Sequence, residues 1–204
     1  MHISWLGNTG FKIQVKPFDK DVTILVDPYK HKKGTSPRNL SADVALFTRG
    51  EEDAITLTGN PFILSTSGEC ETKNVLMTSM QGHDQGEFVV RLDAEGMSIG
   101  HLGLMKKQPT NNHIGLLSGV DILCVPMGGK DCLTPEQAAQ AVSSIEPRVV
   151  IPMVSKSDVD PDAAELSSFI KHIGLPAPDP EKKVILKHKN LPQEEMQLVI
   201  LTKE

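Results

Sequence analysis

The sequence predicts an α+β fold for residues 1–204, taken as one domain, and three observations lead to this class. Short runs rich in β-branched residues fill the first half of the chain, and strands alternate with helices in the second half. No repeat, low-complexity tract or linker divides the sequence. A length of 204 residues suits one sizeable domain, and a hydrophobic fraction of 39% is ordinary for a globular protein.

The first half is predicted to consist of strands separated by turn-forming residues. Gly7, Asn8 and Gly10 interrupt the first two runs, and residues 93–96 (DAEG) have the composition of a hairpin turn because glycine adopts positive φ readily. The predicted strands span residues 2–6, 11–15, 22–26, 44–48, 62–65, 75–80, 87–92 and 97–101.

The second half is predicted to contain two helices between buried strands. Thr134 is a typical N-cap, the next residue is proline, and Gln137 completes a capping box for a helix that extends to residue 145. A second helix is predicted to begin at Asp160 and to end at Gly174. The accompanying strands span residues 122–125, 149–151, 184–186 and 197–201.

Charge and hydropathy argue against two classes of partner. The net formal charge is −5 and the densest basic group, residues 30–33 (KHKK), is short, so we expect no nucleic-acid partner. No apolar run approaches the roughly 18 residues of a membrane span, and no signal-peptide pattern is present, so we expect no membrane association. Cys70, Cys124 and Cys132 show no C-x-x-C spacing. We therefore expect a cytoplasmic protein.

Several short segments follow one another in an order that is informative as a set. They are residues 3–13 (ISWLGNTGFKI), 26–29 (VDPY), 42–44 (ADV), 68–71 (GECE), 82–84 (GHD), 101–103 (HLG), 120–123 (VDIL), 126–129 (PMGG) and 145–153 (IEPRVVIPM). In this order they resemble the metallo-β-lactamase superfamily, in its compact branch related to ascorbate-phosphate lactonases. The resemblance implies an αββα sandwich of two mixed β-sheets flanked by helices, with the active site along one edge of both sheets.

The same resemblance places the family's metal-binding signature, H-x-H-x-D-H, on residues 49–54. The outer histidines are replaced by Arg49 and Ala54, the middle one is replaced by Glu51, and only Asp53 matches. Glu52 fills the variable position between them. Arginine is cationic and has no lone pair to donate, and alanine has no donor at all, so most of the signature has lost its function.

The resemblance places the remaining ligands farther along the chain. His83 corresponds to the later histidine of the family, whereas Leu104 replaces the aspartate that bridges two metals and Val154 replaces the final histidine. Zinc requires three or more lone-pair donors at about 2 Å. With this donor set we expect no resident metal and no other cofactor.

The altered positions define what we call the vestigial pocket: Arg49, Glu51, Glu52, Asp53, Ala54, His83, Leu104 and Val154. One hypothesis is that Arg49 replaces the metal charge and forms an ion pair with Asp53 or Glu51. The alternative is that these residues lie on a solvated loop with weak surface pairs. Asp27, close to the metal site in the family, is expected to fix its loop by accepting hydrogen bonds.

Three functional hypotheses follow from the altered site. The first is a non-catalytic pseudoenzyme that binds a small ligand in the vestigial pocket or a partner subunit, with a homo-oligomer suggested by family analogy. The second is a metal-dependent hydrolase of a lactone, phosphoester or similar polar substrate, with one ion held by Glu51, Asp53 and His83. Manganese or magnesium would suit such oxygen-rich ligands better than zinc. The third is metal-free acid–base chemistry by His83 with a neighbouring carboxylate, Asp84 or Asp53.

Overall fold

The computed structural model describes residues 1–204, and its strands form two large mixed sheets and one small one. The first sheet is antiparallel on one side and parallel on the other. Its strands, in spatial order, are β14 (Lys183–Ile185), β1 (His2–Gly7), β2 (Gly10–Val15), β3 (Val22–Val26), β5 (Val44–Leu46) and β7 (Phe62–Leu64).

The second sheet combines a parallel half with an antiparallel meander. In spatial order its strands are β15 (Gln197–Leu198), β13 (Val149–Met153), β12 (Ile122–Pro126), β11 (Met97–His101), β10 (Phe88–Ala94), β9 (Val75–Gln81) and β8 (Gly68–Thr72). Glu95 (φ 56°) and Gly96 (φ 71°) form the tight turn between β10 and β11, which confirms the hairpin predicted there.

Apolar side chains fill two layers. A cluster of 30 buried residues lies between the large sheets, and a cluster of 18 lies between the second sheet and the helices. The helices are α1 (Asn111–Leu117), α2 (Pro135–Ile145) and α3 (Leu166–Ile173). The outer face of the first sheet is covered instead by the two-stranded sheet of β4 (Asn39–Ser41) and β6 (Thr56–Thr58). The α+β sandwich of two mixed sheets is confirmed, with its helices packed on one sheet only.

Local signals placed α2 correctly. Thr134 accepts a hydrogen bond from the Gln137 N–H, and the Gln137 side chain accepts one from the Thr134 N–H, so the predicted capping box is formed. The short α1 and the strands β4, β6 and β8 were not predicted. None of the helices has both the length and the apolar character that crossing a membrane requires.

The predicted start of the last helix is wrong. The helix begins at Leu166, after the cap residue Glu165, and not at Asp160. Asp160 is held elsewhere, because its N–H donates to Ser157 Oγ and its carboxylate accepts a hydrogen bond from Asn8 near the start of the chain. A tertiary contact therefore overrides the local Asp-Pro start signal.

Candidate functional site

The loop that carries the altered signature (residues 48–54, the signature loop) is fixed at its start by Asp27. This residue follows β3, has a left-handed backbone (φ 48°) and is 1% exposed. Its carboxylate accepts hydrogen bonds from the Thr48 N–H (2.7 Å) and the Thr48 hydroxyl (2.6 Å). Because β3 and β5 are parallel neighbours, their carboxyl ends meet and bring these two residues together. Asp27 is thus the loop-fixing acceptor that the sequence predicted.

Arg49, the first residue of the altered signature, points at Tyr29. The guanidinium carbon lies 4.2 Å from the centre of the tyrosine ring, within the range of a cation–π interaction. Tyr29 also binds the loop backbone, since its hydroxyl accepts from the Arg49 N–H (3.2 Å) and donates to the Gly50 carbonyl (2.7 Å). Burial raises the pKa of Tyr29, with a smaller contribution from the Asp27 carboxylate, so the hydroxyl stays protonated as a donor.

The hypothesis that Arg49 pairs with Asp53 or Glu51 is wrong. Arg49 forms no ion pair, and its only side-chain hydrogen-bond partner is Asn8 Oδ1 at 3.5 Å. After Gly50 (φ 78°) the loop turns outward, so Glu51 and Asp53 are exposed while the arginine is half-buried. Glu51 instead accepts a hydrogen bond from Ser65 Oγ (2.7 Å).

The other end of the signature loop is structural. Ala54 donates its N–H to the Glu51 carbonyl (3.2 Å) and its side chain packs with Tyr29 beneath the loop. Asp53 has a left-handed backbone (φ 64°), and its carbonyl accepts the Lys30 N–H (2.8 Å). Glu52 is exposed. These contacts tie the signature loop to the segment that follows β3.

A cavity of about 710 Å³ opens where the carboxyl ends of both sheets meet, and Arg49 lines it. Leu104, after β11, and Val154, after β13, line the same cavity, as the resemblance implied. Val154 has φ 58°, which is costly for a β-branched side chain. Glu52 and Asp53 contribute to the rim. Part of the vestigial pocket therefore lines the cavity, but Glu51, Ala54 and His83 do not.

His83 lies apart, beside a void of about 10 Å³ that also contacts Leu104. Its Nε2 donates to the Gln108 carbonyl (3.0 Å), and its ring meets the His113 ring edge-on at 5.2 Å. The Asp84 carboxylate contacts Lys106 (3.3 Å), not the histidine. The structure therefore brings His83 together with neither Asp53 nor Asp84.

His101 was expected to close a strand, and it does so at the end of β11, beneath the cavity. It is 3% exposed, Nε2 donates to the Thr9 carbonyl (2.9 Å), and Nδ1 accepts from the Gly103 N–H (3.1 Å). Burial lowers the pKa of His101, so the ring is neutral and both nitrogens are bonded. This histidine supports the site but has no free nitrogen for a ligand.

The sequence did not predict that Asn8 and Asp160 belong to this site. Asn8 Nδ2 donates to Asp160 Oδ1 (2.7 Å), while Asn8 Oδ1 faces Arg49. The second Asp160 oxygen, Oδ2, is buried without a hydrogen-bond partner, and burial raises the pKa of this carboxyl. The Gly7-Asn8-Thr9-Gly10 turn was the one available signal, because a polar residue at a tight turn between strands can face a site.

The lysines of the basic segment 30–33 are exposed and His31 is half-buried, and all four residues line the cavity. Lys33 pairs with Asp162 (2.9 Å), while Lys30, Lys32 and Lys130 at the rim form no ion pair. Carboxylates of both Asp131 and the signature loop share this rim. The cavity is thus lined by charges of both signs.

The residues present do not fit the metal centre that the resemblance implies. No three His, Cys, Asp or Glu side chains in the chain are grouped so as to hold a metal ion, and this includes Glu51, Asp53 and His83. At the cavity itself a guanidinium and two aliphatic side chains, Leu104 and Val154, stand where ligands are expected. None of these side chains has a lone pair to donate.

Comparisons with known proteins agree with the architecture. A Methanopyrus kandleri protein named as a UPF0173 metal-dependent hydrolase is 24% identical over 219 residues, covering 86% of this chain and 94% of its own. A Methanosarcina mazei protein of the same name is 24% identical over 196 residues, covering 75% and 82%.

A solved structure extends the likeness to the whole fold. A Thermotoga maritima protein, described as a Zn-dependent hydrolase of the metallo-beta-lactamase superfamily, has a TM-score of 0.81 at 21% identity, covering 99% of this chain and 100% of its own. The family model of the beta-lactamase superfamily domain matches residues 2–154, which include the signature loop and the strands on both sides of the cavity. The chain therefore belongs to the beta-lactamase superfamily domain family.

Proposed function

We propose that this protein binds a small polar molecule in the cavity beside Arg49 and that it does so without a resident metal ion. The observation that carries the proposal is the position of Arg49. It stands at the first ligand position of the signature, is held against the Tyr29 ring at 4.2 Å, and lines the cavity. A fixed cation at that place favours an anionic or polar ligand over a metal ion.

Electrostatics supports this choice. Two unit charges about 4 Å apart interact by about 4 kcal/mol at an effective dielectric constant of 20, and a divalent ion doubles that figure. Arginine cannot relieve the repulsion by losing its proton, because its pKa is too high. A metal beside Arg49 would need strong compensating ligands, and Leu104 and Val154 supply none.

A second candidate is a metal-dependent hydrolase, and the names of the relatives favour it. It would use Glu51, Asp53 and His83 around one manganese, magnesium or zinc ion on a lactone or phosphoester. These three side chains are not grouped in the structure, so the segments that carry them would first have to move together. A metal-free variant of the same idea uses His83 alone as the acid–base group.

Metal analysis separates the candidates. Protein purified without chelator is analysed for bound metals and then titrated with Zn²⁺ and with Mn²⁺ by calorimetry. We expect no stoichiometric metal and no tight binding. Near-stoichiometric metal in the untreated protein would overturn the proposal in favour of the hydrolase. Hydrolysis of lactone or phosphoester substrates that needs no metal but is lost in His83→Ala would favour the metal-free enzyme.

A variant that rebuilds the signature tests the same point through a gain of zinc binding. Arg49→His, Glu51→His and Ala54→His together restore the signature ligands beside Asp53, and we expect this variant to gain zinc affinity that the native chain lacks. The matched control is Lys130→His at the exposed rim of the cavity. If the reconstruction gains no more zinc affinity than the control, the assignment of the signature to residues 49–54 is wrong.

We further propose that the protein is cytoplasmic and forms homo-oligomers. All three cysteines are free, which suits a reducing compartment. Size-exclusion chromatography with light scattering of the purified chain tests the oligomer, and a monomer at all concentrations would contradict it.

A further inference from the structure

We infer that the ligand carries an oxyanion group, which binds Arg49, and a hydroxyl or amino donor, which binds Asp160. This inference rests on the proposed metal-independent binding and specifies its chemistry. It depends on two groups on the same cavity wall: a cation with unused donors and a carboxylate with an unused acceptor.

The donors of Arg49 are largely unfilled. The guanidinium has five N–H donors, yet its only hydrogen bond is the long 3.5 Å contact with Asn8, and no carboxylate lies within ion-pair distance. The Tyr29 ring lies 4.2 Å from the guanidinium carbon and holds the group in place. Free guanidinium N–H groups bind carboxylate or phosphate oxygens through two parallel hydrogen bonds.

Asp160 has a carboxylate oxygen that lacks a hydrogen-bond donor. Its Oδ2 is the only buried side-chain nitrogen or oxygen atom in the chain that lacks a hydrogen-bond partner. Leaving such a group unpaired costs about 1–3 kcal/mol, more if it is charged. The other carboxylate oxygen is already used by Asn8. The atom is enclosed, so a ligand donor would reach it only after the Asp160 side chain turns toward the cavity that this residue lines.

Asn8 sets the spacing between these two groups. One end of its amide faces Arg49 and the other donates to Asp160, so the cation and the free carboxylate oxygen lie on either side of a single side-chain amide. The residue holds this position with a left-handed backbone (φ 50°), which asparagine tolerates better than most residues. The amide therefore keeps the two groups near one another on the wall, and a small molecule would contact both once the Asp160 carboxylate has turned toward the cavity.

The rim charges favour a ligand of this mixed chemistry over a polyanion. Lys30, Lys32 and Lys130 would attract an anion, but Asp131 and the exposed signature-loop carboxylates Glu52 and Asp53 surround the same opening. A highly charged anion would meet repulsion there. A ligand with a single anionic group and neutral or cationic donors would not.

The test uses five probes on chelator-treated protein, measured by calorimetry. Glycerol 3-phosphate and glycerate carry an oxyanion and hydroxyl donors, inorganic phosphate and propionate carry the oxyanion alone, and glycerol carries the donors alone. We expect at least one oxyanion–hydroxyl probe to bind about tenfold more tightly than its matched oxyanion and than glycerol, which is the effect of one further well-placed hydrogen bond. Which of the two binds distinguishes a phosphate from a carboxylate ligand.

Variants assign the effect to residues. Arg49→Gln should weaken each oxyanion–hydroxyl probe that binds at least tenfold, while Lys171→Gln, at an exposed lysine outside the cavity, should change binding about twofold or less. Asp160→Asn should reduce the oxyanion–hydroxyl probe to the affinity of the matched oxyanion, and Asp19→Asn, at an exposed aspartate outside the cavity, should not. Thermal unfolding of each variant checks that it is folded, and Arg49→Lys, which keeps the charge but loses the fork, should give intermediate binding.

Failure of the inference can be told from failure of the proposed function. Metal-free protein that binds none of the probes, or binds them equally with Arg49→Gln, overturns the inference and leaves metal-independent binding in place. Stoichiometric metal in the untreated protein overturns the proposed function whatever the probes do.

Discussion

Two carboxylates near the same cavity differ in how completely their oxygens are hydrogen-bonded. Asp27, in the layer beneath the cavity, is fully enclosed and both of its oxygens accept hydrogen bonds from Thr48. Asp160, in the cavity wall, has one bonded oxygen and one buried oxygen with no partner. The same contrast holds for the basic groups, since His101 uses both ring nitrogens while Arg49 leaves most of its donors unused.

This difference distinguishes the residues that support the site from the residues that form it. The lower layer is a satisfied polar network, so it contributes to stability and fixes the loops after β3, β5 and β11. The wall is unsatisfied, which costs stability and is typical of a surface that receives a ligand. The signature residues have changed while the layer that positions them is intact, so the fold can be retained without the metal chemistry.

The largest effect on stability is expected at Asp27, in the layer beneath the cavity. Asp27→Ala removes both acceptors of Thr48 and leaves a buried N–H unpaired, so the free energy of unfolding should fall by about 3 kcal/mol. Urea unfolding followed by circular dichroism measures it. Glu52→Ala, at the exposed signature loop, should change stability by no more than about 0.5 kcal/mol. Equal effects of the two variants would contradict the division into two layers.

The next largest effect is a pH dependence of the unfolding free energy that originates at His101. Burial holds its pKa below the ordinary 6.5, so the unfolded chain binds the proton more tightly. Stability from this group is complete above pH 6.5 and is lost as pH falls below it, by up to about 1.4 kcal/mol per pH unit until the folded pKa is reached. Urea unfolding from pH 8 to pH 5 should therefore show a slope that His101→Gln reduces. The exposed His172→Gln should keep the native slope.

A smaller effect is expected at Asp160, where a substitution should raise the free energy of unfolding instead of lowering it. Burial raises its pKa, so the folded chain binds the proton more tightly and the ionised form destabilises the fold. Asp160→Asn should raise the free energy of unfolding by about 1 kcal/mol at pH 7, and the gain should shrink as pH falls and the native carboxyl becomes protonated. Asp131→Asn is the matched control at the exposed rim. A loss of stability at pH 7 would show that Oδ2 is satisfied in solution.

The smallest effect on stability is expected from Arg49. Arg49→Ala removes the stacking on Tyr29 and the long contact with Asn8, which together contribute about 0.5–1 kcal/mol. Lys130→Ala should have no measurable effect, since this exposed lysine forms no ion pair. A loss of several kcal/mol at Arg49 would mean that the arginine belongs to the supporting layer and would weaken the case for a ligand-binding role.

Much of the fold could be predicted because its signals are local. Short runs rich in β-branched residues identified most strands of both large sheets, and the Thr134 capping box identified α2. The strands β4 and β6 were missed because each is only three residues long and mostly exposed, so neither has a buried apolar run. The start of α3 was misplaced because Asp160 is bound by a residue 152 positions away, which no local pattern reveals.

The sequence by itself determined which chemistry the signature positions lost. Arg49, Ala54, Leu104 and Val154 have no lone pair to offer a metal in any conformation, because that property belongs to the side chain. Only the tertiary structure decided what Arg49 does instead, and it replaced the expected ion pair with Tyr29 and Asn8. It also brought Asn8 and Asp160 to the same wall. Such partners depend on how distant segments approach one another, and that is settled only when the two sheets pack together.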